Sequence, residues 1–224
     1  MESFLAFEWA QVTRFLHTLF GITWIGLLYY FNFVGGGYVK DATPDAKKDY
    51  LQKHQPNALW YFRWAAAFTF LTGLYLLYWV SQVPLAYNVG ISLGATMATI
   101  MFLNVWLIIW PNQKKVIAGT ADAPEAAAKA LLASRTNTLL SFPMLYFMIY
   151  SAHINTGNDH LINVDGSFGP GWYSLSLWIG SAIILIIELN AIFGKMRKMI
   201  ESVKAVIHSG LILTLLFGLL VYFH

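Results

Sequence analysis

Arg14–Phe33 reads RFLHTLFGITWIGLLYYFNF. As a helix its about 20 residues would cover roughly 30 Å, enough to cross a bilayer. Two ionisable residues interrupt its start, Arg14 and His17. Arg14, His17, Gly21 and Trp24 fall at i, i+3, i+7 and i+10, so they share one helical face. A spanning helix with a polar, glycine-notched, tryptophan-bearing face is more than an anchor. That face is expected to point at something inside a helical bundle.

The rest of the chain supports the membrane reading. Of its 224 residues, 58% are hydrophobic, 17% aromatic and only 11% charged. Soluble domains run near one quarter charged. The net charge of +3 is modest, and its lysines and arginines lie in loops without a nucleic-acid motif. They read as orientation signals, and no nucleic-acid partner is expected. The absence of cysteine excludes disulfides, iron–sulfur clusters, thiolate zinc sites and covalent c-type haem. Haem held by histidine alone remains open. The first residues, MESFLAFEWAQVT, carry Glu2 and Glu8 and no basic stretch, so they are not expected to be a signal peptide.

Six spans are expected, at about 14–33, 58–80, 89–110, 136–154, 172–193 and 204–223, within a single all-α membrane domain over 1–224. Gly35-Gly36-Gly37 should end the first span and Pro111 the third. Pro143 should kink the fourth. Thr43-Pro44-Asp45 has the form of an N-cap, a proline at N1 and an acid in the first turn, which predicts a short surface helix over 45–53. Asp122-Ala-Pro124-Glu125 and the alanines after it predict a second short surface helix. Loops 38–57, 112–135 and 194–204 each hold several lysines or arginines, whereas loops 81–88 and 155–171 hold none. The alternation places the basic loops in the cytoplasm and both termini outside. An asparagine recurs near the inner end of each outward-to-inward helix: Asn32, Asn104 and Asn190.

Two groups of residues have chemistry to offer. His17, one turn inside the first span, and His153, at the end of the fourth, lie at similar depth. A histidine in a span is costly unless it has a partner or a metal. Two imidazoles from facing helices can ligate one haem iron, with Arg14 placed for a propionate and Tyr146 and Tyr150 for the haem plane. The alternative is a pair of interfacial histidines bonded to nearby carbonyls. Near the inner side, Glu188, His208, Arg63, Asn104 and Asn137 fall at comparable depth, with Lys204 one turn from His208. They suit a proton path, a quinone head or a polar substrate, or else a salt bridge from Glu188 to Arg63 or Lys204 that holds helices together. His54 stands nearby, so a second haem between His54 and His208 is a further reading. His160 and His224 are expected in water. Nucleotide-binding and zinc-protease motifs are absent.

Four stretches carry a family resemblance: LHTLFGITWIGLLYYFNFV at 16–34, ALWYFRWAAAFTFLTG at 58–73, MFLNVWLIIWPNQKKVIA at 101–118 and SRTNTLLSFPMLYFMIYSAH at 134–153. Together they resemble the membrane domain of bacterial membrane-bound urate hydroxylases, the urate oxidase N-terminal family. The first stretch is also similar, more distantly, to the first helix of integral-membrane protoporphyrinogen oxidases and copper-resistance-D-like proteins. The resemblance implies a b-type haem ligand at His17, with His153, in an M-x-x-S-A-H stretch, as the second. It also implies a bacterial cytoplasmic (inner) membrane protein with periplasmic termini. Such a protein would be an oxidoreductase passing electrons from urate or a related purine to an external c-type cytochrome. Longer family members carry that cytochrome as a periplasmic domain, and this cysteine-free chain would need a separate one. Contrasting expectations are a non-enzymatic accessory subunit of a larger respiratory or photosynthetic membrane complex, and a copper or metabolite transport protein. For a flat substrate, Arg63, Asn104 and Asn137 are the nominated cluster, since such a ring calls for paired amides or a guanidinium.

Overall fold

The computed structural model describes residues 2–83, 85–153 and 159–223, and their side chains except those of 2–7, 152 and 153. The chain is all-α, as expected. In order come α1 (Glu2–Tyr29), α2 (Gly36–Asp41), α3 (Pro44–Asp49), α4 (Gln55–Ser81), α5 (Val89–Leu103), α6 (Trp110–Ala118), α7 (Ala123–His153), α8 (Leu175–Phe193), α9 (Lys198–Glu201) and α10 (Val203–Phe223). Three π-helical turns, Tyr30–Gly35, Tyr50–His54 and Asn104–Ile109, fuse neighbouring helices into longer rods. Among the described residues five helical runs are long and apolar enough to cross a membrane: Glu8–Asp41, Pro44–Ser81, Val89–Ala118, Leu175–Phe193 and Val203–Phe223.

Several expected boundaries are overturned. The helix does not end at the triple glycine; Gly36 stays helical at φ −63°, and the rod runs on to Asp41. Glycine serves close approach here, because a Cβ on Gly35 would lie 2.9 Å from the Tyr50 hydroxyl. Thr43 caps α3 as expected, but α3 is no separate surface helix, since the π turn at Tyr50–His54 joins it to α4. Pro111 does not stop the third helix, which continues to Ala118. The Trp110 N–H bonds back five residues to the Val105 carbonyl, so the helix is already widened where the proline ring enters. The surface helix expected after Asp122 is the first part of α7, which runs unbroken from Ala123 through Pro143 to His153.

The molecule is inside out relative to a soluble protein. Large apolar side chains such as Ile22, Leu107, Ile186, Phe193 and Leu215 are exposed. The polar run Arg135-Thr136-Asn137-Thr138, with Ser141, is buried on α7. That helix packs against α1, α5, α6, α8 and α10, so its polar groups meet protein and not lipid tails. Trp24, Leu28, Phe62, Met97, Leu140 and Phe147 form the centre of the apolar core. The loop over 159–173 folds back on the start of α5, where the Val89 N–H donates to the Asp159 carbonyl and the Leu161 N–H to that of Tyr87. The ends of the bundle are named below by their loops: the basic end, with α3, the α6–α7 turn and α9, and the far end, with the 159–173 loop.

At the basic end, Lys115 pairs with Asp122 at 2.7 Å, and Thr120 also donates to that carboxylate. The lysine first, and the hydroxyl next, hold the Asp122 carboxyl below the usual carboxylate range. A depressed value means the contact is fully present above the ordinary aspartate range and is lost as pH falls through the lowered one. An NMR titration of Asp122 should therefore give a midpoint below about 3.9, and Lys115→Ala should raise it. Where α10 crosses α7, a Cβ on buried Gly210 would overlap the Phe142 ring. Gly210→Ala should cost about 1–3 kcal/mol through overpacking, read as a lower thermal midpoint in detergent.

Candidate functional site

At the far end, the predicted face of α1 turns toward α4. His17 Nδ1 lies 3.0 Å from the Thr69 carbonyl oxygen and 3.1 Å from Thr72 Oγ1. A carbonyl only accepts, so Nδ1 carries the proton and Nε2 holds the lone pair. Nε2 has no hydrogen bond among the described residues. The imidazole lies flat on α4 because position 73 is glycine, where a Cβ would sit 3.1 Å from His17 Cε1. Gly21 faces the same helix, and Trp24 is buried in the core at 1% exposure, its indole N–H without a hydrogen-bond partner among the described residues. Arg14 is exposed, and its guanidinium makes no hydrogen bond or ion pair among the described residues.

A histidine whose Nδ1–H is fixed by a carbonyl and whose Nε2 is free has the form of a metal ligand with its orienting partner in place. The donor set thus fits a haem iron at His17. The His153 side chain lies outside the described residues, as does His224. On α7, Phe142, Tyr146 and Ile149 share a stripe with position 153 (i, i+4, i+7, i+11). Tyr146 and Ile149 are exposed. Among the described residues, α1 meets α7 through Tyr29 with Ser141 and Phe142, and the π turn that follows α1 meets it through Asn32 with Ser134. All lie toward the basic end, whereas the His17 half of α1 contacts α4 through His17 and through Phe20 on Phe68.

The second expected group is partly brought together. Asn104 opens a π turn, and its amide nitrogen donates to Asn137 Oδ1 and to Glu188 Oε2, both at 2.9 Å. Asn137 Nδ2 donates in turn to the Met101 carbonyl at 2.9 Å. This chain of amides satisfies a carboxylate in the bundle without a cation. Arg63 goes elsewhere: its guanidinium lies 3.9 Å above the Trp110 ring. His208 is exposed and its Nδ1 donates to the Lys204 carbonyl of its own helix. His54 meets the Tyr30 hydroxyl at 3.0 Å. The described salt bridges do not include Glu188 with Arg63 or Lys204.

Arg135 escaped the sequence reading, which left it in a loop. It is 9% exposed, and its Nε and one Nη have no partner among the described residues. The signal was available, since Arg135 stands three residues after Leu132 and four before Leu139, both buried against Ile200 and Val206. Gln55 and Gln113 were also missed. They pair at 2.6 Å across α4 and α6, near Asn32.

The amide chain generates a direct test. Asn137→Ala leaves one Asn104 amide hydrogen unpaired in the interior and removes one of the two bonds to the Met101 carbonyl, and should cost about 1–3 kcal/mol. Glu188→Gln keeps an acceptor for Asn104 and should cost about 1 kcal/mol or less. Denaturant unfolding in detergent should rank the two variants in that order.

No curated protein and no solved structure matches the chain. A family model does match, over a segment containing α5, α6 and α7, with Asn104, Asn137 and His153 inside it and His17 outside. Residues 84–163 match the urate oxidase N-terminal family, the family that the four sequence stretches resemble.

Proposed function

We propose that the protein is a membrane-embedded b-type haem redox protein, an oxidoreductase of the urate hydroxylase kind. The observation that carries this reading is His17, with its Nδ1–H held by the Thr69 carbonyl and its Nε2 free. His17 would hold the iron, with His153 as the second ligand by resemblance. Arg14 is free to meet a propionate. Trp24 would stand beside the site from the core side. Bound there, haem would supply a one-electron carrier.

The chain's own residues set the conditions. The Thr69 carbonyl and Thr72 hydroxyl fix the ring's orientation and its tautomer. Gly73 keeps α4 close enough to do so. The aromatic and aliphatic side chains on the α7 stripe would exclude water from that side. By resemblance, the reductant is urate or a related purine and the acceptor an external c-type cytochrome. Quinone is the alternative electron partner. The basic loops favour a bacterial cytoplasmic membrane with the basic end inside and both termini periplasmic.

The test is a reduced-minus-oxidised spectrum of the purified chain, with a pyridine-haemochrome assay. A b-type signal near one haem per chain is expected. His17→Ala and His153→Ala should each lose it while the bundle stays folded by circular dichroism. Unchanged haem content in both variants would overturn the ligand assignment, and no haem in the wild type would overturn the function. Reduction of the haem on adding urate then tests the substrate.

A further inference from the structure

Among the described residues Arg135 is the one lysine or arginine that is nine-tenths buried, at 9% exposure. A guanidinium cannot escape burial by giving up its proton, because it stays charged at any pH a protein meets. Its Nε and Nη1 are buried without a hydrogen-bond partner, and the described ion pairs do not include it. Nη2 also has no hydrogen bond among the described residues, but it is not buried, so a group from outside can reach it. An uncompensated charge held out of water is strongly destabilising. The site calls for an anion that the described residues do not supply.

Helix packing fixes where that open nitrogen lies. Arg135, Leu139, Phe142 and Tyr146 fall at i, i+4, i+7 and i+11, one stripe of α7. The stripe packs on α10: a Cβ on Gly210 would overlap the Phe142 ring, and one on Gly218 would lie 3.3 Å from the Tyr146 hydroxyl. The two helices run parallel in that register, so Arg135 is level with the first turn of α10. Leu132 and Leu139, about a turn to either side, are buried with Ile200 and Val206. The Val203 and Lys204 N–H groups that open α10 have no acceptor among the described residues, since Ser202 Oγ takes only that of Ala205. The segment 194–204 adds Lys195, Arg197, Lys198 and Lys204, all exposed, against one acid, Glu201. This is also the level of the membrane surface, because the run long and apolar enough to span begins at Val203.

We propose that Arg135 and the start of α10 bind the phosphate of an anionic phospholipid from the leaflet at the basic end. Arg135 Nη2 and the first amides of α10 donate to the phosphate oxygens. The exposed cations of 194–204 attract the headgroup without a fixed contact. An acyl chain then runs along Phe142 and exposed Tyr146 toward the middle of the bilayer. A free phosphate would use the same donors but would leave that apolar stripe uncovered. A zwitterionic headgroup would bring a cation of its own to a site already rich in cations. The inference does not rest on the haem reading, since it uses the opposite end of the α7 stripe from position 153.

The test is native mass spectrometry of the full chain in a neutral detergent, given equal amounts of phosphatidylglycerol and phosphatidylcholine with the same acyl chains. Phosphatidylglycerol should be retained about fivefold or more over phosphatidylcholine, the factor that one basic residue at a membrane surface supplies. Arg135→Gln keeps hydrogen-bond donors and drops the charge, and should bring retention down to the phosphatidylcholine level. Lys204→Glu, an exposed change on the first turn of α10, should lower retention of phosphatidylglycerol with the bundle still folded by circular dichroism, and it decides the matter if Arg135→Gln fails to fold. An excess of inorganic phosphate should not displace the lipid. Equal retention of the two lipids, unchanged retention in either folded variant, or displacement by inorganic phosphate would each overturn the proposal. The assay reads bound lipid and not redox change, so a haem-free chain that selects phosphatidylglycerol leaves this inference standing and overturns only the haem.

Discussion

Every polar group that enters the hydrocarbon must find its partner inside the protein, and α7 is where this chain meets that demand. The run from Ser134 to Ser141 brings hydroxyls, an amide and a guanidinium into the bundle. Lipid tails offer nothing to bond them. The surrounding helices bond the hydroxyls and the amide, though not Nε and one Nη of Arg135: Asn32 of the first π turn donates to Ser134, Tyr29 of α1 meets Ser141, and Asn104 donates to Asn137. Each such bond contributes little by itself, about 1 kcal/mol, but its loss in a dry interior costs more than its presence gains. The bonds therefore select one arrangement of helices around α7, and apolar packing fills in around them.

The same constraint explains the π turns. A rod with a regular 3.6-residue repeat presents its side chains at fixed angles, and Asn32 and Asn104 must both aim inward at α7. Each sits in a π turn, where the added residue rotates the face that follows. Widening the helix at Asn104–Ile109 also admits Pro111 without a break. The recurring inner asparagines noticed in the sequence thus have a structural meaning at two of three positions. The third, Asn190, accepts from Arg197 and donates to the Lys195 carbonyl, closing the basic turn after α8.

The rod formed by α1 and the π turn after it is tied to a different neighbour at each end. At the far end, His17 is tied to α4 through a carbonyl, which fixes the ring and frees one nitrogen. At the basic end, Asn32 in the π turn that follows donates to the Leu28 carbonyl of α1 and to Ser134 of α7, which fixes the amide. In both cases two hydrogen-bonding partners fix the orientation of a polar side chain. About 15 residues separate them, roughly 22 Å along a helix, so the two ties hold the rod at opposite ends of the bundle.

The sequence by itself determined the membrane class, the all-α fold and the helical face of α1 that turns inward, because apolar runs of spanning length and a helical repeat are local properties of the chain. It also exposed the Asn104, Asn137 and Glu188 group, since polar residues at one depth in a bundle have few places to go. Tertiary structure alone decided where helices end and which polar groups pair. Gly35-Gly36-Gly37 and Pro111 are breakers by propensity, yet close approach to Tyr50 and a preceding π turn keep both inside helices. Arg63 was free by sequence to meet Glu188, and packing put the Trp110 ring beneath it instead. A basic-end cavity is lined by Asn32, Gln55 and Gln113, which are far apart in the chain and adjacent only once three rods are packed. A residue's partner in a bundle is set by rotation and register between helices, and neither is written in the residues of one helix alone.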